Sequence, residues 1–279
     1  MEMRMKIKKN DIVLALLVFV GISILLYPTV SNKWNAYRNS KLISQYKKNV
    51  SNLSQDKVNE MIQKALKYNQ TLGTPKVPDA FSIRDGKRDK KYDSLLNMGD
   101  GMMGYVEVPS IDVNLPLYHY TFDSVLLKGA GHLFGSALPV GGESTHSVVS
   151  AHRGLPSEKM FTDLNLVEKG DYFYYHILGK VFAYKVDRIQ VIEPSDVKYL
   201  SIEFKKDYST LVTCTPYGVN TQRLLVRGHR VPYNKNIRTI KKHADTFNMI
   251  ILQIGSAIAG VFLAIVIYYV YRHKIRRER

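Results

Sequence analysis

Two apolar runs, one near each end, constrain the fold of this chain more than any other feature of its 279 residues. The first covers residues 12–27 and follows the basic start MRMKIKK. The second covers residues 247–271 and continues into the basic sequence RHKIRRER. The second run is long enough for a membrane-spanning helix, and the first suits a short one. The sequence therefore predicts a transmembrane helix at each end and a water-exposed domain between them.

The first run also fits the apolar core of a signal peptide. The residues after it, PTVSNKW, lack the small side chains that a signal peptidase needs, which favours an uncleaved anchor. A buried core helix is the alternative for the second run, but such a helix does not need a terminal cluster of Arg and Lys. Basic residues lie on the outer side of both runs, so we expect both termini in the cytoplasm and the middle of the chain on the extracellular side.

The formal net charge of +16 at pH 7 does not by itself indicate a nucleic-acid partner. Part of the excess lies in the two terminal tails, where membrane topology accounts for it. The rest suits an anionic wall or membrane surface, or is simply a solvated face. Aromatic and basic residues are not interleaved as in nucleic-acid sites, and the acidic residues have no metal-ligand spacing. We expect no nucleic acid, no metal and no other cofactor.

The composition divides the chain into four parts. Residues 1–34 form a cytoplasmic tail and N-terminal membrane anchor, and residues 35–100 form a helical stalk followed by a lid-like loop. Residues 101–236 form a β domain, and residues 237–279 form the C-terminal transmembrane helix with its basic cytoplasmic tail. In the stalk, apolar residues at helical spacing follow Ser54, which suits an N-cap.

Short runs rich in β-branched and aromatic residues, each bounded by Gly, Pro or Asp, predict the β domain. They include YVEVPSIDVNLPLY, SVVSAH, STLVTCT and RLLVRGHRVPY. The clearest hairpin joins YFYYHIL to VFAYKVDRIQVI through the dipeptide Gly-Lys. These patterns are typical of a mainly β fold, either a barrel or a sandwich.

Cys214 is the only cysteine, so it cannot form a disulfide within the chain. It follows the β-type run STLVT and precedes the turn-forming sequence TPYG, which places the thiol at the end of a strand. A strand end can expose a side chain on a rigid backbone, as a nucleophile requires. A buried, unreactive thiol is the alternative.

His152 has the same placement, after SVVSA and before RGLP. A histidine near a cysteine can take the thiol proton and later deliver a proton to a leaving amine. On pattern alone His132 and His229 compete for this role. A hydrogen-bonded structural histidine is the other interpretation for each of them.

Arg223 begins the strand that follows the cysteine turn, and strand alternation places Arg223, Leu225 and Arg227 on one face. One of these arginines could hold the oxyanion of a tetrahedral intermediate or a substrate carbonyl, since both need a fixed, permanently charged donor. Surface charge is the alternative for Arg227 and Arg230.

The segments SAHRG and TLVTCTPYGVNTQRLLVRGHR resemble the sortases, and in particular the pilin-polymerising class C. The similarity extends from about residue 101 to residue 233 and includes GMMGYVEVPSIDVNLPLYH and GAGHLFGSALPVGG. It implies a closed sortase-type β-barrel with short helices. It also implies that Cys214 is the nucleophile, His152 the acid and base, and Arg223 the oxyanion or substrate stabiliser. Two flanking membrane anchors look like class C as well.

The resemblance implies a cysteine transpeptidase at the membrane of a Gram-positive cell. Cys214 would cleave an LPXTG-like sorting signal between Thr and Gly and form an acyl-enzyme. A lysine amine of the next pilin subunit would then attack the thioester and extend a pilus through isopeptide bonds. A sortase that attaches proteins or finished pili to the cell wall remains an alternative. So does a membrane-tethered, non-catalytic β domain that binds a surface partner.

Class C sortases usually carry a lid with an Asp-Pro-aromatic sequence that plugs the resting active site. The matching residues here are Asp79, Ala80 and Phe81. Without proline the backbone φ is free, which predicts a looser turn. A lid would bring Asp79 towards Arg223 and Phe81 towards Cys214. An ordinary flexible linker fits these residues equally well.

Overall fold

The structure is a computed structural model, and it describes residues 9–73, 77–83, 86 and 88–237, together with Gly255, Gly260 and Tyr268. The chain divides into two compact units, one of residues 1–33 with 244–279 and one of residues 34–243. The predicted C-terminal transmembrane helix, apart from those three single residues, lies outside the described part of the chain.

The first helix, α1 (Lys9–Ser51), continues through Pro28. Within the described part of the chain, Leu16–Ser51 is the one helical segment long and apolar enough to cross a membrane. Large apolar side chains along it, such as Phe19 and Ile24, are exposed. A signal sequence near the N-terminus passes the same test of length and composition, so the uncleaved anchor remains a prediction.

The second helix, α2 (Gln55–Thr71), begins where the sequence predicts it. Its N-cap is Ser54, whose side chain accepts a hydrogen bond from the Lys57 amide at 3.2 Å. The buried residues recur at helical spacing and form one face: Val58, Ile62, Ala65 and Asn69. The apolar members of this face belong to the same hydrophobic core as the strands of the β domain.

The β domain contains eight strands: β1 (Met102–Val108), β2 (Val113–His119), β3 (Ala130–His132), β4 (Thr145–Ser150), β5 (Tyr172–Ile177), β6 (Lys180–Ile192), β7 (Asp207–Thr215) and β8 (Gln222–Val231). They form a closed barrel in the order β1-β2-β3-β4-β7-β8-β6-β5. The β2–β3 and β4–β7 pairs are parallel. Two short helices, α3 (Lys90–Asp93) and α4 (Asp123–Leu126), lie between strands or before them. The predicted β-barrel is confirmed, and the alternative of a sandwich is wrong.

The predicted β5–β6 hairpin is confirmed, but its turn lies one residue earlier than Gly-Lys. Ile177 pairs with Lys180, so the turn residues are Leu178 and Gly179. Their φ angles are 49° and 77°, as a type I′ turn requires. Gly-Lys, with Gly first, would suit a type II′ turn. The dipeptide alone therefore did not show which two residues form the turn.

Strand alternation assigns neighbouring residues of the sheet to two different clusters. Val149 and Leu211 belong to the main core, whereas Val148 and Val212 belong to a second cluster. This second cluster also contains Val77, Ala80, Leu133, Ile192, Leu200 and Leu225. Because successive side chains point to opposite faces of a sheet, the second cluster lies on the outer face of the barrel. We call it the outer cluster.

Candidate active site

Cys214 lies near the end of β7 on the outer face of the barrel. It is two residues from Val212 of the outer cluster, so the two side chains share that face. The residue is 8% exposed and its thiol forms no disulfide. The β7 backbone is paired with β4 on one side and with β8 on the other, which holds the thiol on a rigid support.

His152 comes level with Cys214 because β4 and β7 are parallel. Ser150 pairs with Val212 at the end of the ladder. The amide of Ala151 then donates to the Val212 carbonyl at 3.3 Å. The β4 and β7 segments therefore keep their register beyond the last paired residues, which sets His152 beside Cys214.

Arg223 lies directly opposite Cys214 in the antiparallel β7–β8 ladder. Its guanidinium makes two hydrogen bonds, each of 2.8 Å, to the carboxylate of Asp79. Both side chains are 11% exposed. Two parallel N–H···O bonds between a guanidinium and a carboxylate form a strong, directional ion pair. Hydrogen bonding to Asp79 raises the pKa of Arg223, so the guanidinium is charged.

Asp79 belongs to a tight turn in residues 77–83, which we call the lid. The Ser82 amide donates to the Asp79 carbonyl at 3.1 Å, which is the hydrogen bond of a four-residue β-turn. The Phe81 ring centroid lies 5.7 Å from that of His152 and 5.2 Å from the guanidinium carbon of Arg223. The lid thus makes its turn without a proline and contacts two of the three candidate catalytic residues.

The pKa values of the Cys214 thiol and the His152 imidazole are shifted in opposite directions. Burial raises the pKa of Cys214, while the charge of Arg223 lowers it and that of Asp79 raises it. Burial lowers the pKa of His152, which Asp123 raises in turn. Each shift favours the uncharged form of its group, so together they oppose transfer of the thiol proton to the imidazole.

Arg227 shares this face of β8, but it is not a surface charge as the sequence suggested. It is 9% exposed. Its guanidinium bonds Asp187 at 3.0 and 3.2 Å and Glu203 at 3.0 Å, and it lies 3.9 Å from the Tyr208 ring centroid. Arg230 is also partly buried and stacks on two aromatic rings. The surface-charge interpretation is wrong for Arg227, because Asp187, Glu203 and the Tyr208 ring cover it, and Arg230 is partly covered by the rings of β6.

The two competing histidines have other partners. His132 is fully buried, with one ring nitrogen 2.6 Å from the Tyr92 hydroxyl and the other 2.7 Å from a backbone carbonyl. Burial lowers its pKa to about 3, which is typical of a neutral structural histidine. His229 pairs with Tyr208 near the start of β7, whereas Cys214 is near its end.

The part of the chain that matches known proteins includes this barrel. Residues 106–231 match the family model of the sortase domain. The crystal structure of Streptococcus pneumoniae sortase C is 42% identical in sequence, with a TM-score of 0.66 over 71% of this chain and 100% of that one. Sortase C1 of Streptococcus agalactiae is 43% identical, with a TM-score of 0.63 over 70% of this chain and 100% of that one. The chain belongs to the sortase family.

Curated sortases match over a smaller part of their length. Bacillus subtilis sortase D is 28% identical over 131 residues, which are 46% of this chain and 63% of that protein. Sortase A of Streptococcus agalactiae is 29% identical over 128 residues, 45% of this chain and 51% of that protein. The chain thus spans between about half and two thirds of these curated relatives. The solved neighbours confirm the resemblance to class C sortases.

Arg153, which was not among the residues predicted from the sequence, joins the two strand ends of the sortase site. Its Nη1 donates to the Thr215 hydroxyl at 3.0 Å and its Nε to the Thr162 carbonyl at 3.2 Å. Because Arg153 follows His152 and Thr215 follows Cys214, this contact links the neighbours of the two reactive groups. The sequence signal that could have identified Arg153 is its position next to His152 in SAHRG.

The groups gathered here suit acyl transfer. A thiol can form a thioester, an imidazole can move protons, and a guanidinium can stabilise an oxyanion. Among the described residues, no group of three or more His, Cys, Asp or Glu side chains could hold a metal ion. The site offers nucleophilic and acid–base chemistry from the chain's own residues.

Proposed function

We propose that this sortase is a pilin-polymerising class C transpeptidase, with Cys214 as nucleophile, His152 as acid and base, and Arg223 as donor to the substrate carbonyl. The observation that carries the proposal is the meeting of these residues at one end of the β4–β7–β8 sheet. The likeness to Streptococcus pneumoniae sortase C, whose structure is described for catalysis and pilin substrate specificity, supports the same class.

The first step begins when the lid leaves. Without Asp79 the Nε and Nη2 donors of Arg223 are free, and the thiol loses a negative neighbour that raises its pKa. His152 takes the thiol proton and the sulfur attacks the Thr carbonyl of an LPXTG-like signal. A C–S bond forms, the Thr–Gly C–N bond breaks, and His152 donates its proton to the leaving Gly amine. Arg223 stabilises the oxyanion in between.

The second step releases the acyl group. A neutral lysine amine of the next pilin subunit attacks the thioester carbonyl, His152 accepts the amine proton, and the new C–N bond forms as the C–S bond breaks. The product is an isopeptide bond, and the thiolate of Cys214 regains a proton from His152. Attack by water in place of the amine gives hydrolysis.

The lid acts as an autoinhibitory plug in this proposal. Asp79 occupies both guanidinium donors that face it, and a substrate oxygen needs these donors. The Phe81 ring contacts both Arg223 and His152, and the scissile bond of a substrate must approach these same residues. Substrate binding and lid closure therefore exclude one another.

We place the enzyme in the membrane of a Gram-positive cell. The apolar part of α1 and the basic residues before it support an N-terminal anchor, and residues 247–271 would form a second. The catalytic domain then lies outside and both termini lie in the cytoplasm. Protease added to intact cells should cleave the barrel and spare epitope tags on both termini.

The test of the function is mass spectrometry of products made by the full chain in detergent micelles. The substrates are an LPXTG-type peptide and a pilin subunit. We expect a Cys214 acyl adduct and lysine-linked multimers, and we expect both to vanish in Cys214→Ala.

Other outcomes separate the alternatives. An adduct followed by hydrolysis alone would favour a sortase that anchors proteins to the cell wall. If a folded sample with an accessible thiol gave neither product, the transpeptidase proposal would be wrong, and a non-catalytic binding domain would be favoured.

A further inference from the structure

A closed loop follows the candidate acid and base. Residues 153–160, here called the His152 loop, leave the histidine and return to it, because the Phe161 amide donates to the His152 carbonyl at 3.0 Å. Near the tip of this loop lies Glu158, which is only 5% exposed. A carboxylate buried to this extent needs hydrogen-bonding partners, because burying a charge without them costs several kcal/mol.

Its partners come from α1, within residues 34–51, which we call the arm. Asn39 Nδ2 donates to Glu158 Oε1 at 2.7 Å, and Arg38 Nη2 donates to Glu158 Oε2 at 3.2 Å. One turn earlier, Asn35 Nδ2 donates to the Ser157 carbonyl at 2.7 Å. Positions i, i+3 and i+4 lie on one face of a helix. One face of the arm therefore makes three hydrogen bonds to the tip of the His152 loop.

Other atoms of the same side chains are buried without partners. Arg38 Nε and Asn39 Oδ1 have no hydrogen-bond partner, and such burial is unfavourable. Contact with Glu158 offsets that cost. Burial raises the pKa of Glu158 above its ordinary value, and its contacts with Asn39 and Arg38 offset part of that rise. The arm thus favours the carboxylate form that it binds.

The opposite end of the loop is fixed to the cysteine turn. Arg153 bonds the Thr215 hydroxyl at 3.0 Å, and the Gly154 amide bonds the Thr162 hydroxyl at 3.2 Å. His152 therefore sits where the loop closes, with the arm at the tip and the Cys214 strand at the base. A shift of the loop tip would therefore be transmitted to the imidazole through the few residues that join them.

We propose that Glu158 is a positioning residue, which sets the His152 imidazole against Cys214 by fixing the His152 loop to the arm. The inference rests on the proposed function of His152 and Cys214. It gives Asn35, Arg38 and Asn39, on one face of the arm, a role in positioning His152 as well as in the fold. Misplacing a reacting group by a fraction of an ångström lowers the rate of the chemical step more than it weakens substrate binding.

The test measures kcat and KM for an LPXTG-type peptide with the full chain in detergent micelles. All variants carry Asp79→Ala, so that lid opening does not limit the rate. We expect Glu158→Ala to lower kcat about tenfold with KM unchanged. Glu158→Gln keeps an acceptor for Asn39 and should recover most of that loss. Gln45→Ala is the matched control on the arm, because Gln45 is exposed and bonds Asn49 of the same helix.

A double-mutant cycle separates positioning from general destabilisation. If Glu158 and Asn39 act through one contact, Asn39→Ala should lower kcat in the parent but not further in Glu158→Ala. A kcat equal to that of the parent in folded Glu158→Ala, or fully independent effects of the two substitutions, would overturn the positioning role. Absence of any Cys214 acyl adduct in the parent would instead reject the proposed function itself, and the inference with it.

Discussion

Arg223 and Arg227 lie four residues apart on the same face of β8, yet their surroundings differ. Arg227 bonds Asp187 and Glu203 and stacks on Tyr208. Arg223 bonds a single carboxylate, that of Asp79 in the lid. Arg223 near the start of β8 and Arg227 near its middle therefore differ in the element that supplies the acid.

That element decides what each arginine can do. Asp187 lies at an irregularity of the β6–β8 ladder, between Val186 and Arg188, and such bulges redirect a side chain within a paired strand. Its backbone is therefore held within β6, beside Arg227. Asp79 belongs to a turn outside any strand, so in the proposed function it leaves Arg223 while the barrel stays intact. Under that proposal Arg223 becomes available to a substrate, whereas Arg227 keeps its bonds to Asp187 of β6.

The largest expected effect comes from the arginine that the lid covers. Arg223→Ala should lower the rate of Cys214 acylation about a thousandfold, because an oxyanion donor is lost. Single-turnover kinetics with an LPXTG-type peptide measure it. Arg227→Lys should leave the acylation rate within about threefold. Equal losses of acylation rate in the two variants would contradict the difference drawn between Arg223 and Arg227.

Acid should lower the stability of the folded barrel through His146. This buried histidine has one ring nitrogen 2.8 Å from the Ser201 carbonyl and the other 2.7 Å from the Thr210 hydroxyl, and burial lowers its pKa to about 4. The unfolded chain binds this proton at higher pH than the folded one, so stability falls as pH drops from 6.5 towards 4.

His146→Gln removes that titration. Between pH 7 and pH 4 the parent should lose up to about 3 kcal/mol more free energy of unfolding than the variant. Urea denaturation at several pH values measures this. Parallel pH profiles for the two proteins would show that His146 is not the group that titrates.

Removing the other buried arginine should affect stability more than chemistry. Arg227→Met leaves Asp187 and Glu203 without their partner, at a cost of about 2 kcal/mol, below the range for fully buried pairs because both acids are partly exposed. Thermal and urea unfolding measure it. An unchanged unfolding midpoint with lost activity would place Arg227 in the active site instead.

Opening the lid should activate the thiol. Asp79→Ala removes a carboxylate that raises the pKa of Cys214, so the apparent thiol pKa falls and alkylation at pH 7 accelerates about tenfold. Iodoacetamide labelling across pH measures both. Asp196→Ala, which removes an exposed partner of Lys198, is the control. Slower labelling in Asp79→Ala would mean that the lid does not cover the thiol.

The smallest effect should come from restoring the proline of the family. Ala80 is the second residue of the Asp79–Ser82 turn, a position that favours proline. Ala80→Pro should stabilise the closed lid by about 0.5 kcal/mol and slow alkylation about twofold. Ala80→Gly should change the rate in the opposite direction. Faster labelling in the proline variant would indicate that the ring does not fit this buried position.

Much of the site could be predicted because its residues sit at boundaries that sequence marks locally. Cys214 and His152 each end a β-type run and precede a break, and parallel β4 and β7 bring such ends together. Alternation placed Arg223 and Arg227 on one face but did not separate them. The resemblance to class C sortases favoured Arg223. Glu158 carried no local signal, because its partners are about 120 residues away.

The sequence by itself determined the β-type runs, the helix that starts after Ser54, the strand-end placement of Cys214 and His152, and the family. These follow from local periodicity, turn chemistry and motif. Only the tertiary structure decided that Asp79 pairs with Arg223 across 144 residues, that Arg227 is buried, and that the arm holds the loop after His152. The reason is physical: each of these is a contact between polar side chains of segments far apart in sequence, and local sequence does not encode which distant partner a buried polar group will meet.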